Sequence, residues 1–173
     1  SVSNNMRWEA VGLPVENGKR NVLISSVYRP GTDSLVGEVI TLSRHIIKYF
    51  SEEFPGIPYP YETMTVFNGS GGMEFPMMVN QDVENDRWLA TYVTTHEIAH
   101  TYFPFLTGTN EKRFSWLDEG MAVYLPLSEQ TKIYGGLRYD EMTASNLSRT
   151  MGTQNDVPLM IPSHFVQIGR AHV

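Results

Sequence analysis

The pentapeptide His96-Glu-Ile-Ala-His100 constrains the fold of this chain more than any other feature. In an α-helix each residue is turned by about 100°, so residues four apart differ by only about 40° and project from one face. A helix over this segment therefore presents both imidazoles to one metal ion. Glu97 is turned about 60° from His100, so its carboxylate can address a water at the metal without ligating it. The spacing predicts a zinc-binding helix with Glu97 as the general base.

A catalytic zinc site needs a third protein ligand, and Glu119 is the candidate. Eighteen residues separate it from His100, and it lies on the next predicted helix, in the segment Trp116-Leu-Asp-Glu-Gly-Met-Ala122. Its neighbours are largely apolar, and a cation would offset the cost of burying a carboxylate among them. The alternatives are a solvated carboxylate and two core histidines with ordinary hydrogen-bond partners. We predict one zinc ion per chain, held by His96, His100 and Glu119.

A glycine-rich element, Gly71-Gly-Met-Glu74, ends 22 residues before His96 and supplies a further carboxylate. A fixed carboxylate beside zinc would hold the protonated α-amino group of a peptide, whose pKa is about 8, and so select the first peptide bond. Gly71 and Gly72 lack side chains and let the backbone approach a ligand closely. The alternative is a plain glycine-rich hairpin turn with an exposed glutamate.

These three elements, in this order, resemble the M1 zinc aminopeptidases of the gluzincin group, which include aminopeptidase N and leukotriene A4 hydrolase. The resemblance is carried by HExxH, by the eighteen-residue spacing to Glu119 in a WLDEG context, and by GGMEF at 71–75, which is similar to the family's GxMEN element. It covers roughly residues 30–150. The departure is Phe75, which stands where the family pattern has Asn.

The resemblance implies an α+β fold, namely a thermolysin-like (gluzincin) metallopeptidase catalytic domain with a small mixed sheet followed by a helical metal-binding half. It implies a zinc-dependent aminopeptidase that hydrolyses the N-terminal peptide bond of peptides with a free N-terminus, through a zinc-activated water and a Glu general base. The substrate-binding residues that we expect are Glu74, Gly71, Gly72 and Met73.

In the family, a downstream tyrosine stabilises the oxyanion. Its separation from the HExxH helix falls past residue 173, and Tyr134 and Tyr139 are too close to Glu119 for that role. Two other functions stay open. A zinc endopeptidase of the same clan would not need Glu74, and a non-catalytic M1-like interaction module would not need the intact zinc ligands.

The rest of the chain predicts alternating strands and helices. We expect a hairpin or strand pair within 6–28, a helix from a Thr32 or Asp33 cap to Pro55, strands at 64–67 and 74–79, a helix over 88–103 that Pro104 ends, a helix over 115–125, and helical structure over 128–150 interrupted at Gly135-Gly136.

Other candidate residues have simpler interpretations. His45 and His164 lack partners at ligand spacing, which indicates ordinary surface or capping histidines. Tyr92 and Tyr102 flank the metal helix and are interpreted as packing residues.

Asp118 admits two interpretations. It could orient a zinc ligand. We favour a capping box instead, because Ser115 stands three residues before it at the predicted start of a helix.

Composition excludes several classes of protein. The 173 residues carry a net charge of −6 and include no cysteine, so Cys-ligated zinc, thiol nucleophiles and disulfide scaffolds are excluded. The 13 basic residues are scattered, which disfavours nucleic acid as a partner. No apolar run approaches the ~20 residues of a transmembrane helix. The sequence indicates no cellular location.

We divide the chain into three parts. Residues 1–28 are expected to be the end of an N-terminal β region or the first strands of the catalytic domain. Residues 29–167 are expected to form the M1-like catalytic domain, truncated at its C-terminal side. Residues 168–173 resemble translated sequencing-adapter DNA, so His172 is given no weight as a ligand.

Overall fold

The computed structural model describes residues 5–31, 35–82, 86–134 and 139–153, together with 156, 158, 161, 162 and 165. The elements are β1 (Arg7–Val15), β2 (Arg20–Tyr28), α1 (Leu35–Glu52), β3 (Thr63–Asn68), β4 (Met73–Phe75), β5 (Met78–Gln81), α2 (Arg87–Ala99), a π-helical turn (Thr101–Leu106), α3 (Ser115–Tyr124), α4 (Leu127–Tyr134) and α5 (Tyr139–Thr150).

The five strands form one mixed sheet in the order β1-β2-β3-β5-β4. β1 and β2 are an antiparallel hairpin, which confirms the strand pair predicted within 6–28. β2 pairs parallel with β3, and β3 pairs parallel with β5. α1 connects β2 to β3, as a parallel pair requires a crossover. β4 is the last strand and runs antiparallel to β5.

The core lies between one face of this sheet and the helices α1 and α2. Strand residues that alternate along the chain point into it, and α1 contributes residues at helical spacing. Burying each large apolar side chain contributes about 1.5–3 kcal/mol. The buried residues of these elements include Leu13, Val22, Ile24, Met64, Val66 and Val79 from the sheet, Val39, Ile46, Ile47 and Phe50 from α1, and Ile98 and Ala99 from α2.

The single strand predicted at 74–79 is wrong, because the structure has two strands joined by a tight turn. β4 ends at Phe75 and β5 begins at Met78. Pro76 has no backbone N–H to donate to a sheet, and Met77 adopts a left-handed conformation with φ 67°. The turn makes β4 a short edge strand and places Glu74 opposite Val79.

The helix predicted over 88–103 begins where expected but ends early. Asp86 caps α2, because its side chain accepts hydrogen bonds from Trp88 N at 2.8 Å and Leu89 N at 3.3 Å. The α-helix stops at Ala99, and Phe103 is extended (φ −132°, ψ 112°), as expected before a proline. Pro104 therefore lies inside a π-helical turn and does not simply end the helix.

The helix predicted over 115–125 is confirmed by α3, and the region 128–150 contains α4 and α5. The predicted cap at Thr32 or Asp33, the Gly135-Gly136 interruption, His164 and residues 168–173 lie outside the described residues. No helix in the described part of the chain combines the length and apolar character needed to cross a membrane.

Candidate metal centre

The side chains of His96, His100 and Glu119 converge at the junction of α2 and α3. The two histidine Nε2 atoms are 3.3 Å apart. Glu119 Oε2 lies 3.3 Å from His96 Nε2 and 3.8 Å from His100 Nε2. The structure thus brings together the three side chains that the sequence predicts as zinc ligands.

The spacing of these three atoms fits zinc. Ligands about 2.0–2.1 Å from a tetrahedral zinc ion are about 3.3–3.4 Å from one another. The observed separations of 3.3, 3.3 and 3.8 Å are close to that value. Two imidazole nitrogens and a carboxylate oxygen are also a donor set that catalytic zinc sites use. The three residues therefore fit a zinc ion without rearrangement of the helices.

His100 is oriented by Asp118. Its Nδ1 lies 2.7 Å from Asp118 Oδ1 and 3.0 Å from the Phe103 carbonyl oxygen. Both neighbours are acceptors, so Nδ1 carries a proton and Nε2 is the nitrogen that faces the site and can ligate a metal. The Phe103 carbonyl reaches this position because the π-helical turn begins directly after His100.

The favoured capping-box interpretation of Asp118 is wrong. The residue preceding α3 is Phe114, which makes no side-chain capping hydrogen bond. Asp118 is 3% exposed and its carboxylate is turned toward His100. The sequence analysis gave the orientation of a zinc ligand as the less favoured of two interpretations of Asp118. The general need of a ligating histidine for an acceptor at its other ring nitrogen would have favoured that interpretation.

Charge in the site favours a cation. Burial lowers the pKa of His100, but the hydrogen bond and charge of Asp118, with the charge of Glu119, outweigh burial and raise it to about 9. Burial also raises the pKa of Glu97 to about 8, and Glu74 and Glu119 add to this rise while His100 opposes it. A dication at the three ligand atoms would relieve the repulsion among these carboxylates.

Glu97 is buried beside the ligands and packs against the glycine-rich element. Its Oε2 has no hydrogen-bond partner among the described residues. A Cβ atom at Gly72 would lie only 2.6 Å from Glu97 Oε1. The absence of a side chain at Gly72 thus makes room for the Glu97 carboxylate. Gly71 has φ 80°, a left-handed conformation that glycine adopts without strain.

Glu74 lies at the same cluster although it belongs to the sheet. One of its carboxylate oxygens is within 4.8 Å of a ring nitrogen of His100 and of a carboxylate oxygen of Asp118. Alternation along β4 turns Met73 and Phe75 to the opposite face of the strand. These two side chains are 47% and 45% exposed. The structure therefore brings Glu74 to the cluster and turns Met73 away from it.

Two buried hydrogen bonds fix α2 just before the first histidine. Thr94 Oγ1 donates to Gln81 Oε1 at 2.6 Å, which ties α2 to β5. Gln130 Nε2 donates to Thr95 Oγ1 at 2.6 Å, which ties α2 to α4. These contacts fix α2 relative to the sheet, whose edge strand β4 carries Glu74. The sequence analysis did not identify them, because a polar residue in a helix does not by itself reveal its tertiary partner.

The remaining candidates lie in different environments. His45 Nε2 is 2.7 Å from Glu129 Oε1, so His45 makes a hydrogen-bonding contact between α1 and α4. Tyr102 is a core residue, as predicted, and its hydroxyl donates to the Ile57 carbonyl at 3.0 Å. Tyr92 stacks on the His96 ring.

Comparison with known proteins agrees with the resemblance read from the sequence. No family model matches the chain. Aminopeptidase 2 from Candida albicans is 26% identical over 126 residues, which are 64% of this chain and 14% of that protein.

Solved structures of an M1 zinc metallopeptidase from Deinococcus radiodurans are similar in fold. A variant bound to a Tyr-Ser-Ala substrate matches with a TM-score of 0.64 and 20% identity, over 96% of this chain and 38% of that one. A further structure of this metallopeptidase matches with a TM-score of 0.60 and 21% identity, over 90% and 35%. The chain thus spans well under half of these relatives. The predicted resemblance is confirmed, and the chain has a mixed sheet with helices similar in fold to M1 zinc metallopeptidases.

Proposed function

We propose that this chain is the gluzincin-type catalytic part of a zinc-dependent M1 aminopeptidase. The observation that carries the proposal is the convergence of His96 Nε2, His100 Nε2 and Glu119 Oε2 at zinc-ligand spacing. The M1 metallopeptidase fold and the aminopeptidase relative support a peptidase activity. The expected substrates are peptides with a free N-terminus.

Glu97 is the proposed general base. A zinc ion bound by the three ligands would supply a Lewis acid that makes a water acidic enough to ionise near neutral pH. Glu97 Oε2, buried and without a protein partner among the described residues, accepts the proton of the attacking water. The water oxygen forms a bond to the carbonyl carbon of the first peptide bond. The same carboxyl group then donates the proton to the amide nitrogen as the C–N bond breaks, so the amine leaves and the base is regenerated.

Glu74 is the proposed anchor for the substrate's N-terminus. Its carboxylate, within 4.8 Å of the His100 and Asp118 atoms, would accept charge-assisted hydrogen bonds from an ammonium group. Fixing the ammonium beside the zinc ligands places the first peptide bond at Glu97. Gly71, Gly72 and the backbone of Met73, whose side chain is turned to the other face of β4, are proposed to flank the bound peptide along this exposed edge strand.

The proposed catalytic domain spans residues 29–167. β2 pairs directly with β3, so the hairpin within 1–28 continues the same sheet. This pairing favours the view that these residues are the first strands of the catalytic domain.

Replacement of the base tests the proposed chemistry. Glu97→Gln keeps the size of the side chain but cannot accept the proton, so we expect hydrolysis of a fluorogenic aminoacyl amide to fall by about 10²–10⁴-fold. Zinc content, measured on the same sample, should stay at the wild-type value. A Glu97→Gln variant with full activity contradicts the mechanism.

Replacement of the anchor tests the aminopeptidase assignment against its alternatives. Glu74→Gln should lower kcat/KM for peptides with a free N-terminus by about 10–100-fold, because it removes a hydrogen bond between charged groups. Phe75→Asn, on the other face of β4, is the matched control and should change kcat/KM less than threefold. Preference for N-acetylated peptides would identify an endopeptidase. Zinc binding without hydrolysis of either peptide would identify a non-catalytic module.

A further inference from the structure

The two zinc-ligand histidines are held in different ways. His100 has an acceptor at Nδ1, in the carboxylate of Asp118. His96 Nδ1 is buried and has no hydrogen-bond partner among the described residues. A ligating imidazole whose second nitrogen makes no hydrogen bond needs another contact to fix the plane of its ring, because the Cβ–Cγ bond otherwise allows the ring to rotate.

An aromatic stack on α2 supplies that contact. The Tyr92 ring lies nearly parallel to the His96 ring, with centroids 5.9 Å apart and planes at 14°. The Trp88 ring stacks on the other side of Tyr92 at 5.8 Å and 4°. The three residues are spaced by four, so they follow one stripe of the helix. Offset parallel rings at these distances attract one another.

The stack also sets the angle between the two ligand rings. His96 and His100 meet edge to face, with centroids 4.8 Å apart and planes at 87°. In that arrangement both Nε2 atoms point to the position that Glu119 Oε2 approaches. A rotation of the His96 ring would carry its Nε2 away from Glu119.

We propose that Tyr92 is a positioning residue that fixes the His96 ring for metal binding by stacking, with Trp88 supporting it from behind. Stacking thus does for His96 what the Asp118 hydrogen bond does for His100. The inference rests on the proposed zinc site and adds to it a residue outside the proposed ligand set and the substrate anchor.

The test compares three variants for zinc affinity, measured by competition with a chromophoric chelator. Tyr92→Leu keeps apolar volume but removes the flat ring, and we expect zinc affinity to fall about tenfold, the lower end of what loss of a ligand's supporting contact costs. Tyr92→Phe keeps the ring and should stay within threefold of wild type. Tyr124→Leu is the matched control, because it removes an exposed ring that packs on Phe54 and should leave zinc affinity unchanged.

Two further readouts separate positioning from general stability. The visible spectrum of the Co²⁺-substituted protein should shift in Tyr92→Leu but not in Tyr92→Phe, because ring rotation changes the ligand geometry. Thermal unfolding of the metal-free proteins shows whether each variant folds. If Tyr92→Leu does not fold, Trp88→Leu takes its place. We then expect zinc affinity to fall about fivefold, and an affinity within threefold of wild type contradicts the proposal.

Two results overturn the proposal. In the first, Tyr92→Leu binds zinc with wild-type affinity and shows the wild-type Co²⁺ spectrum. In the second, Tyr92→Phe loses as much affinity as Tyr92→Leu, which assigns the effect to the hydroxyl group. Wild-type protein that binds no zinc overturns the proposed function itself, so the two failures are distinguishable.

Discussion

Two histidine–carboxylate contacts of the same length lie in different parts of this molecule. His100 Nδ1 and Asp118 Oδ1 are 2.7 Å apart between α2 and α3, and His45 Nε2 and Glu129 Oε1 are 2.7 Å apart between α1 and α4. The first pair is buried, with side chains 2% and 4% exposed. In the second pair, the His45 side chain is 51% exposed.

The difference lies in what surrounds each pair. Nε2 of His100 faces His96 and Glu119, so its carboxylate partner orients a ligand. Glu129 Oε2 is also 2.8 Å from Lys132 Nζ, so the His45 contact belongs to a small group of charged and polar side chains. Glu129 is itself buried, with its side chain 9% exposed, but His45 and Lys132 are 51% and 58% exposed. Water therefore competes for their side of the contact, and the contribution to stability is small. Equal geometry therefore supports a proposed zinc ligand in one place and makes a minor structural contact in the other.

Removing the carboxylate from each pair should change zinc affinity by very different amounts, and this is the largest effect that we expect. Asp118→Ala leaves a buried ring N–H without its carboxylate acceptor and frees the His100 ring, so we expect zinc affinity to fall about 10–100-fold. Glu129→Ala should leave zinc affinity within twofold of wild type. Chelator competition measures both. Equal zinc affinity in the two variants would remove the distinction between the pairs.

A methyl group added beside Glu97 tests how tightly the buried site is packed. A Cβ at Gly72 meets Glu97 Oε1 at 2.6 Å, whereas nothing lies within 4 Å of a Cβ at Gly120, the neighbour of Glu119. Gly72→Ala must displace the carboxylate, and we expect kcat to fall about tenfold with zinc content unchanged. Gly120→Ala should keep wild-type kcat and stabilise α3 by up to about 1 kcal/mol. Wild-type kcat in Gly72→Ala would mean that Glu97 is free to move.

The His45–Glu129 pair should lose its contribution to stability in acid. Burial raises the pKa of Glu129, but hydrogen bonds from Lys132 and His45 outweigh burial and hold the pKa below its ordinary value of 4.5. Ionised Glu129 therefore stabilises the fold above about pH 4.5, and this contribution is lost as the pH falls through the lower folded pKa. The stability difference between wild type and Glu129→Gln should be small at pH 7 and shrink below pH 4.5. Urea unfolding at pH 7, 4.5 and 3 measures it, and a difference that grows in acid contradicts the assignment.

Much of the site could be predicted because its residues lie at recognisable spacings along the chain. The i, i+4 histidines and the eighteen-residue separation of Glu119 nominate three side chains that the structure brings within 3.8 Å. The hairpin and α3 were predictable for similar reasons, since turn residues and a helical stripe are read from neighbouring positions.

The errors arose where a local pattern competed with a tertiary contact. Ser115 and Asp118 match a capping box, but the buried ring of His100 uses the Asp118 carboxylate instead. Pro104 predicts a helix end, but the chain widens into a π-helical turn that the fold around His100 accommodates. Pro76 was the overlooked signal that splits the predicted strand, because it cannot donate to a sheet. Stacking of Tyr92 on His96 was open to prediction from their spacing of four.

Zinc content of the purified chain after exhaustive dialysis tests the central claim most directly. Glu119→Ala, prepared in parallel, removes one proposed ligand, and Glu52→Ala is the control for an exposed carboxylate that pairs with Lys48 at 3.8 Å. The account predicts near one zinc per chain in wild type and Glu52→Ala, and much less in Glu119→Ala. Dialysed wild-type protein without zinc, or zinc retained equally in all three, would contradict a His96–His100–Glu119 site.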